Sequence, residues 1–125
     1  MRTAITAPGA PVPAGPYSHA VRTGDLVHVS GQVPRAADGS YEPADVATET
    51  RRTLGNLELI ARAAGARLAD AVKITAYLAD GDDFDEFNRA YAEFFPVDPP
   101  ARTTVVAGLR QVKVEMDAVL YVGGS

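Results

Sequence analysis

The sequence has 125 residues, the length of one domain, and its 46% hydrophobic and 22% charged content excludes the disordered, collagen-like and coiled-coil classes. Twelve basic against sixteen acidic residues give a formal net charge of −4, without the basic footprint that phosphate backbones require, which argues against nucleic acid as the principal partner. The absence of cysteine removes disulfides, thiolate nucleophiles and thiolate metal sites, and the two histidines, His19 and His28, are too few for a histidine-built metal cage.

The N-terminal stretch is interrupted by Pro8, Pro11, Pro13 and Pro16 and does not read as a signal peptide. Nowhere does an apolar run approach the roughly 20 residues needed to span a bilayer. One cytoplasmic domain over residues 1–125 is the expectation. Arg2 to Ile5 reads as a short strand, followed by an extended Pro-rich connection. Tyr17 to Arg22 and Leu26 to Ser30 read as a hairpin turned at Thr23-Gly24-Asp25, with Leu26, His28 and Ser30 on one face and Val27 and Val29 on the other. Asp38-Gly39 marks a further tight turn.

Asp45 is placed to cap a helix from about Val46 to Ala64, with Val46, Thr50, Thr53, Leu54, Leu57 and Ala61 at helical spacing and Gly65 as its stop. Val72 to Leu78 alternates as a strand. A second helix follows, with Asp83 and Glu86 as a capping-box-like start and an aromatic stripe of Phe84, Phe87, Tyr91, Phe94 and Phe95 before Pro96. Such a stripe reads as core. Thr103 to Ala107 and Val112 to Val122 read as the last strands. The order β-β-β-α-β-α-β-β implies an α+β fold, one mixed sheet with two helices packed on one face. The other face carries Leu26, Tyr77, Val119 and Tyr121, more apolar than a solvated face needs, which points to oligomerisation through it.

Nucleotide loops, the GxSxG elbow and the HExxH zinc motif are absent from the sequence. Ser18 and His19 alternate faces on a strand, and His28 and Ser30 stand too far apart, so neither pair makes a catalytic dyad; both histidines read as spectators. The acidic run Asp80, Asp82, Asp83, Asp85, Glu86 departs from a calcium loop at Phe84 and Tyr91, and reads as complement to a helix dipole. Arg102, after Pro99-Pro100-Ala101, is either a solvated charge or a guanidinium fixed toward a carboxylate. Glu115, inside the most apolar strand, needs either a salt-bridge partner or a water-filled pocket. One Arg to hold an anion and one Glu to handle a water suffice to add water to an activated carbon–nitrogen bond.

Several segments together resemble the RidA/YjgF family of reactive-intermediate deaminases: Gly15-Pro16-Tyr17-Ser18, Val29-Ser30-Gly31-Gln32-Val33-Pro34, Asn56-Leu57, Asp83-Phe84 with Asn88 and Tyr91, Pro100-Ala101-Arg102-Thr103, and Val114-Glu115-Met116-Asp117-Ala118-Val119. The resemblance implies a chorismate-mutase-like α+β fold, a homotrimer with ligand clefts between subunits, and hydrolysis of 2-enamine or 2-imine acids such as 2-aminoacrylate to 2-keto acids and ammonia. It implies no metal and no organic cofactor. By position it makes Arg102 the carboxylate-binding residue and Glu115 the water-positioning acid, and it lines the cleft with Tyr17, Ser30, Gly31, Asn88 and Thr104. His19 stands where Gln is common in the family, and Arg110 where Pro is often found. The alternative is a non-catalytic small-carboxylate-binding or pathway-specialised trimer of the same fold. Ribonuclease activity, attached to some relatives, fits the acidic charge poorly.

Overall fold

A computed structural model describes residues 1–123. Six strands form one sheet in the order β1-β2-β3-β6-β4-β5: β1 (Arg2–Ile5), β2 (Ala20–Thr23), β3 (Leu26–Gln32), β4 (Ala71–Leu78), β5 (Ala101–Val106) and β6 (Val114–Tyr121). Two helices, α1 (Val46–Ala63) and α2 (Phe84–Ala92), complete the predicted β-β-β-α-β-α-β-β order. All neighbouring strands are antiparallel except β4 and β5, which are parallel. α1 joins β3 to β4 and α2 joins β4 to β5, two steps in the same direction across the sheet. Right-handed crossovers then lay both helices on the same face. Ile74, Ala76 and Leu78 of β4 and Val114, Met116, Ala118 and Leu120 of β6 meet Leu54, Leu57, Ile60 and Phe87 there in a single core.

Local chemistry sets most element ends. Asp45 accepts the Thr48 N–H at 2.8 Å and so caps α1, while Gly65, at φ 81°, supplies the left-handed residue that stops it. The start of α2 differs from the predicted capping box. Asp83 makes no side-chain cap bond, and Glu86 instead reaches across to accept the Ala47 N–H at 3.1 Å, tying the first turn of α2 to the first turn of α1. The aromatic stripe is also less uniform than expected. Phe87, Tyr91 and Phe95 are buried, but Phe84 is 43% exposed.

Strand ends shift for identifiable reasons. Pairing with β4 begins at Ala101, so β5 starts two residues ahead of the expected Thr103. β6 begins at Val114 rather than Val112 because Gln111, at φ 71°, and a Val112 N–H to Arg110 O bond of 2.9 Å hold a turn there. β2 starts at Ala20 rather than Tyr17, since residues 17–19 are engaged otherwise. His19 is more buried than a partly buried or exposed spectator and has a structural role: its Nδ1 accepts the Ala7 N–H at 2.9 Å and its Nε2–H donates to Pro11 O at 2.7 Å. Those two roles require the neutral ring with its proton on Nε2, and they pin the Pro-rich segment to the sheet. No helix among the described residues is long and apolar enough to cross a membrane.

Candidate active site

β3 and β6 pair as Val29↔Ala118 and Gln32↔Met116, so three steps along β3 match two along β6. The extra residue is a β-bulge at Ser30-Gly31, invisible to strict alternation. It brings the Gly31 backbone against Glu115, so close that a Cβ there would stand 2.5 Å from Glu115 Oε2. Ser30 is held in place by its Oγ–H donating to Ser18 O at 2.6 Å and its N–H donating to His19 O at 3.0 Å. Tyr17, whose Oη accepts the Ala14 N–H at 3.0 Å, completes a cleft of about 730 Å³ that it shares with Ser30, Gly31, Glu115, Arg35 and Arg110. A smaller cleft of about 450 Å³, between α1 and residues 34–42, holds none of the predicted site residues.

Glu115 has no cationic partner among the described residues, so of its two sequence readings the pocket is the one realised. Burial and the neighbouring Asp117 carboxylate both push its pKa up. Asp117 is itself raised by burial, against the bond that Tyr77 donates to it at 3.3 Å. A carboxyl with a raised pKa on an open cleft suits proton exchange better than charge pairing.

Arg102 lies elsewhere. On β5 it pairs with Ile74 of β4, on the helix-covered face, and donates from Nη2 to Asn88 Oδ1 at 2.7 Å. Its guanidinium carbon sits 4.7 Å from the ring centre of Tyr91, 5.2 Å from Phe87 and 5.9 Å from Phe84. Residues 84, 87, 88 and 91 share one face of α2, so a single helical stripe supplies both the amide anchor and the aromatic walls. The sequence reading took Phe84, Phe87 and Tyr91 as core only; the amide of Asn88 breaking the stripe was the available signal. Asn88 occupies one donor, leaving other guanidinium donors for a carboxylate. On the same face as Arg102, Thr104 Oγ1 is buried without a partner among the described residues.

The predicted site residues therefore form two groups. Tyr17, Ser30, Gly31 and Glu115 share the cleft, whereas Arg102 lies beneath α2 against Asn88 of that helix, with Thr104 nearby in β5. Glu115 pairs with Tyr77, on the face of the sheet opposite Arg102. One chain does not bring its Arg102 and its Glu115 onto one small substrate.

Residues 7–122 match the family described as Endoribonuclease L-PSP. The chain belongs to the RidA/YjgF family. Among other members, it is 39% identical to a RutC family protein of Pyrococcus horikoshii, over 97% of this chain and 98% of that one. It is 38% identical to the 2-iminobutanoate/2-iminopropanoate deaminase of Escherichia coli, over 95% of this chain and 97% of that protein. The fold of this RidA/YjgF member matches the crystal structure of E. coli TdcF with bound serine at a TM-score of 0.89 and 33% identity, covering 95% of this chain and 98% of that one.

Proposed function

We propose that this chain hydrolyses 2-imino acids, and the 2-enamino acids that tautomerise to them, to 2-keto acids and ammonia, in sites assembled from two copies of the chain within a homotrimer. The carrying observation is the pair of poised groups, which among the described residues are Arg102 boxed by aromatics with guanidinium donors free and Glu115 unpaired in an open cleft. Their placement on opposite faces of the sheet is satisfied when Arg102 of one copy meets the Glu115 cleft of the next. The E. coli deaminase, similar along nearly the whole chain, supports the reaction class.

Arg102 forks onto the substrate carboxylate and fixes its plane. The enamine 2-aminoacrylate takes a proton on its methylene carbon and becomes 2-iminopropanoate. Glu115 orients a water toward C2 and accepts its proton as the carbon–oxygen bond forms. The proton passes to nitrogen, the carbon–nitrogen bond of the resulting carbinolamine breaks, and ammonia leaves with pyruvate as the other product. Water supplies the carbonyl oxygen, and no redox change occurs.

Generating 2-aminoacrylate in place and following pyruvate formation tests this reading. Wild type accelerates the conversion, Arg102→Ala does not, and Arg102→Lys loses roughly 10- to 100-fold because a point charge cannot reproduce the planar fork. Near-native turnover by Arg102→Lys rejects the assigned role. TdcF with bound serine favours a second reading, in which the site only holds small amino or keto acids. Binding of such acids by the folded trimer without accelerated pyruvate release establishes that reading instead.

A further inference from the structure

The cleft around Glu115 holds more positive charge than a monocarboxylic substrate uses. Its charged lining is Glu115, Arg35 and Arg110, so its wall is net cationic in a chain of net charge −4. Neither guanidinium has a carboxylate partner among the described residues. Arg35 is held by neutral groups alone, donating to Gly39 O at 3.1 Å and to Gln111 Oε1 at 3.2 Å, with its guanidinium carbon 5.5 Å from the centre of the Tyr41 ring. Tyr41 is fixed in turn by donating its hydroxyl to the buried Glu49 at 2.8 Å. The left-handed backbone of Gln111 shapes the turn that presents the exposed Arg110 at the rim of the same cleft.

The Arg35 guanidinium, oriented by neutral acceptors, keeps its charge uncompensated, and with the exposed Arg110 lining the same cleft it attracts an anion. If Arg102 takes the carboxylate beside the reacting carbon, these two remain for another anionic group of the substrate. We propose that Arg35 and Arg110 form a distal anion subsite that selects 2-imino acids carrying a second carboxylate, the imines of acidic amino acids. The proposal rests on the deaminase reading above and adds the substrate class to it.

The test compares 2-iminopropanoate, 2-iminosuccinate and 2-iminoglutarate, each generated in place by oxidation of the corresponding amino acid, with hydrolysis measured above the spontaneous rate. Wild type favours at least one dicarboxylate over iminopropanoate in kcat/KM by about tenfold or more, the scale of one charge-assisted hydrogen bond. Arg110→Ala and Arg35→Ala each pull that ratio toward one, and Arg110→Glu inverts it. Circular dichroism and the oligomer mass show that the variants fold. Turnover of iminopropanoate with no dicarboxylate preference, or a preference that Arg110→Glu leaves unchanged, overturns the subsite and leaves the deaminase reading standing. A folded wild type that accelerates none of the three imines overturns both.

Discussion

A methyl group at residue 31 would stand 2.5 Å from Glu115 Oε2, and the atom it meets is the far end of a flexible side chain. Gly31→Ala therefore displaces the carboxylate rather than the backbone. Thermal unfolding should move by only a few degrees, a shift of about 1 kcal/mol or less, while turnover of 2-aminoacrylate falls severely. Wild-type turnover by that variant would show that the position of Glu115 does not matter. The raised pKa of Glu115 has two further consequences. If its carboxylate accepts the proton from water, activity falls on acidification starting at a higher pH than an ordinary glutamate would give. Asp117→Asn removes the like charge, lowers the Glu115 pKa and moves that acid limb to lower pH, which a kcat/KM profile reads directly. For stability the sign is opposite. A carboxyl whose folded pKa lies above its unfolded value favours the fold in its neutral form, and that contribution is lost as pH rises through the folded pKa. Glu115→Gln should thus be at least as stable as wild type at neutral pH while inactive.

At the level of elements, the junctions around the first turn of α1 are held by carboxylates that periodicity does not reveal. Glu49 is fully buried, and its oxygens accept from Tyr41 Oη at 2.8 Å, Ala44 N–H at 3.1 Å and Lys113 N–H at 2.9 Å, with Lys113 Nζ 3.7 Å away. It fastens the loop before α1 and the residue before β6 to one helix, and with them the Arg35 and Gln111 side of the cleft. Glu49→Gln turns an amide N–H₂ toward donors on one side or the other. A loss of about 2–3 kcal/mol in urea unfolding is expected. Asn56 does similar work two turns further along the same helix face, donating to both Val33 O and Arg35 O at 2.9 Å. A stripe analysis of α1 counts apolar positions and passes over both residues, because the value of a buried polar group lies in partners distant in sequence.

For the whole molecule, the two-helix layer leaves one sheet face open, and Leu26 and Tyr121 on it are exposed apolar side chains. A monomer gains nothing from that surface, whereas a closed oligomer buries it. If active sites are shared between copies, two dead variants should rescue each other. Co-folding Arg102→Ala with Glu115→Ala then gives mixed oligomers in which an intact Arg102 faces an intact Glu115, and a fraction of wild-type activity returns. Each variant alone stays inactive. No rescue in mixtures whose subunit exchange is confirmed by mass spectrometry would place both residues' work within one chain.

Element order, the α1 cap at Asp45, its stop at Gly65 and the placement of both helices on one face were legible in the sequence, because capping, left-handed glycine, strand alternation and crossover handedness act within short stretches of chain or follow from their order. The identities of Arg102 and Glu115 as candidates were legible as well, since an acid in an apolar strand and an arginine after a rigid Pro-Pro lead-in both demand an explanation. Their surroundings were not. The bulge at Ser30-Gly31, the α2 stripe closing over Arg102, the buried fastening by Glu49 and the burial of His19 all depend on contacts between segments many residues apart. Pairwise register, not local periodicity, decides which side chains meet, and a one-residue slip in β3 is enough to set a glycine rather than a side chain against the carboxylate of Glu115.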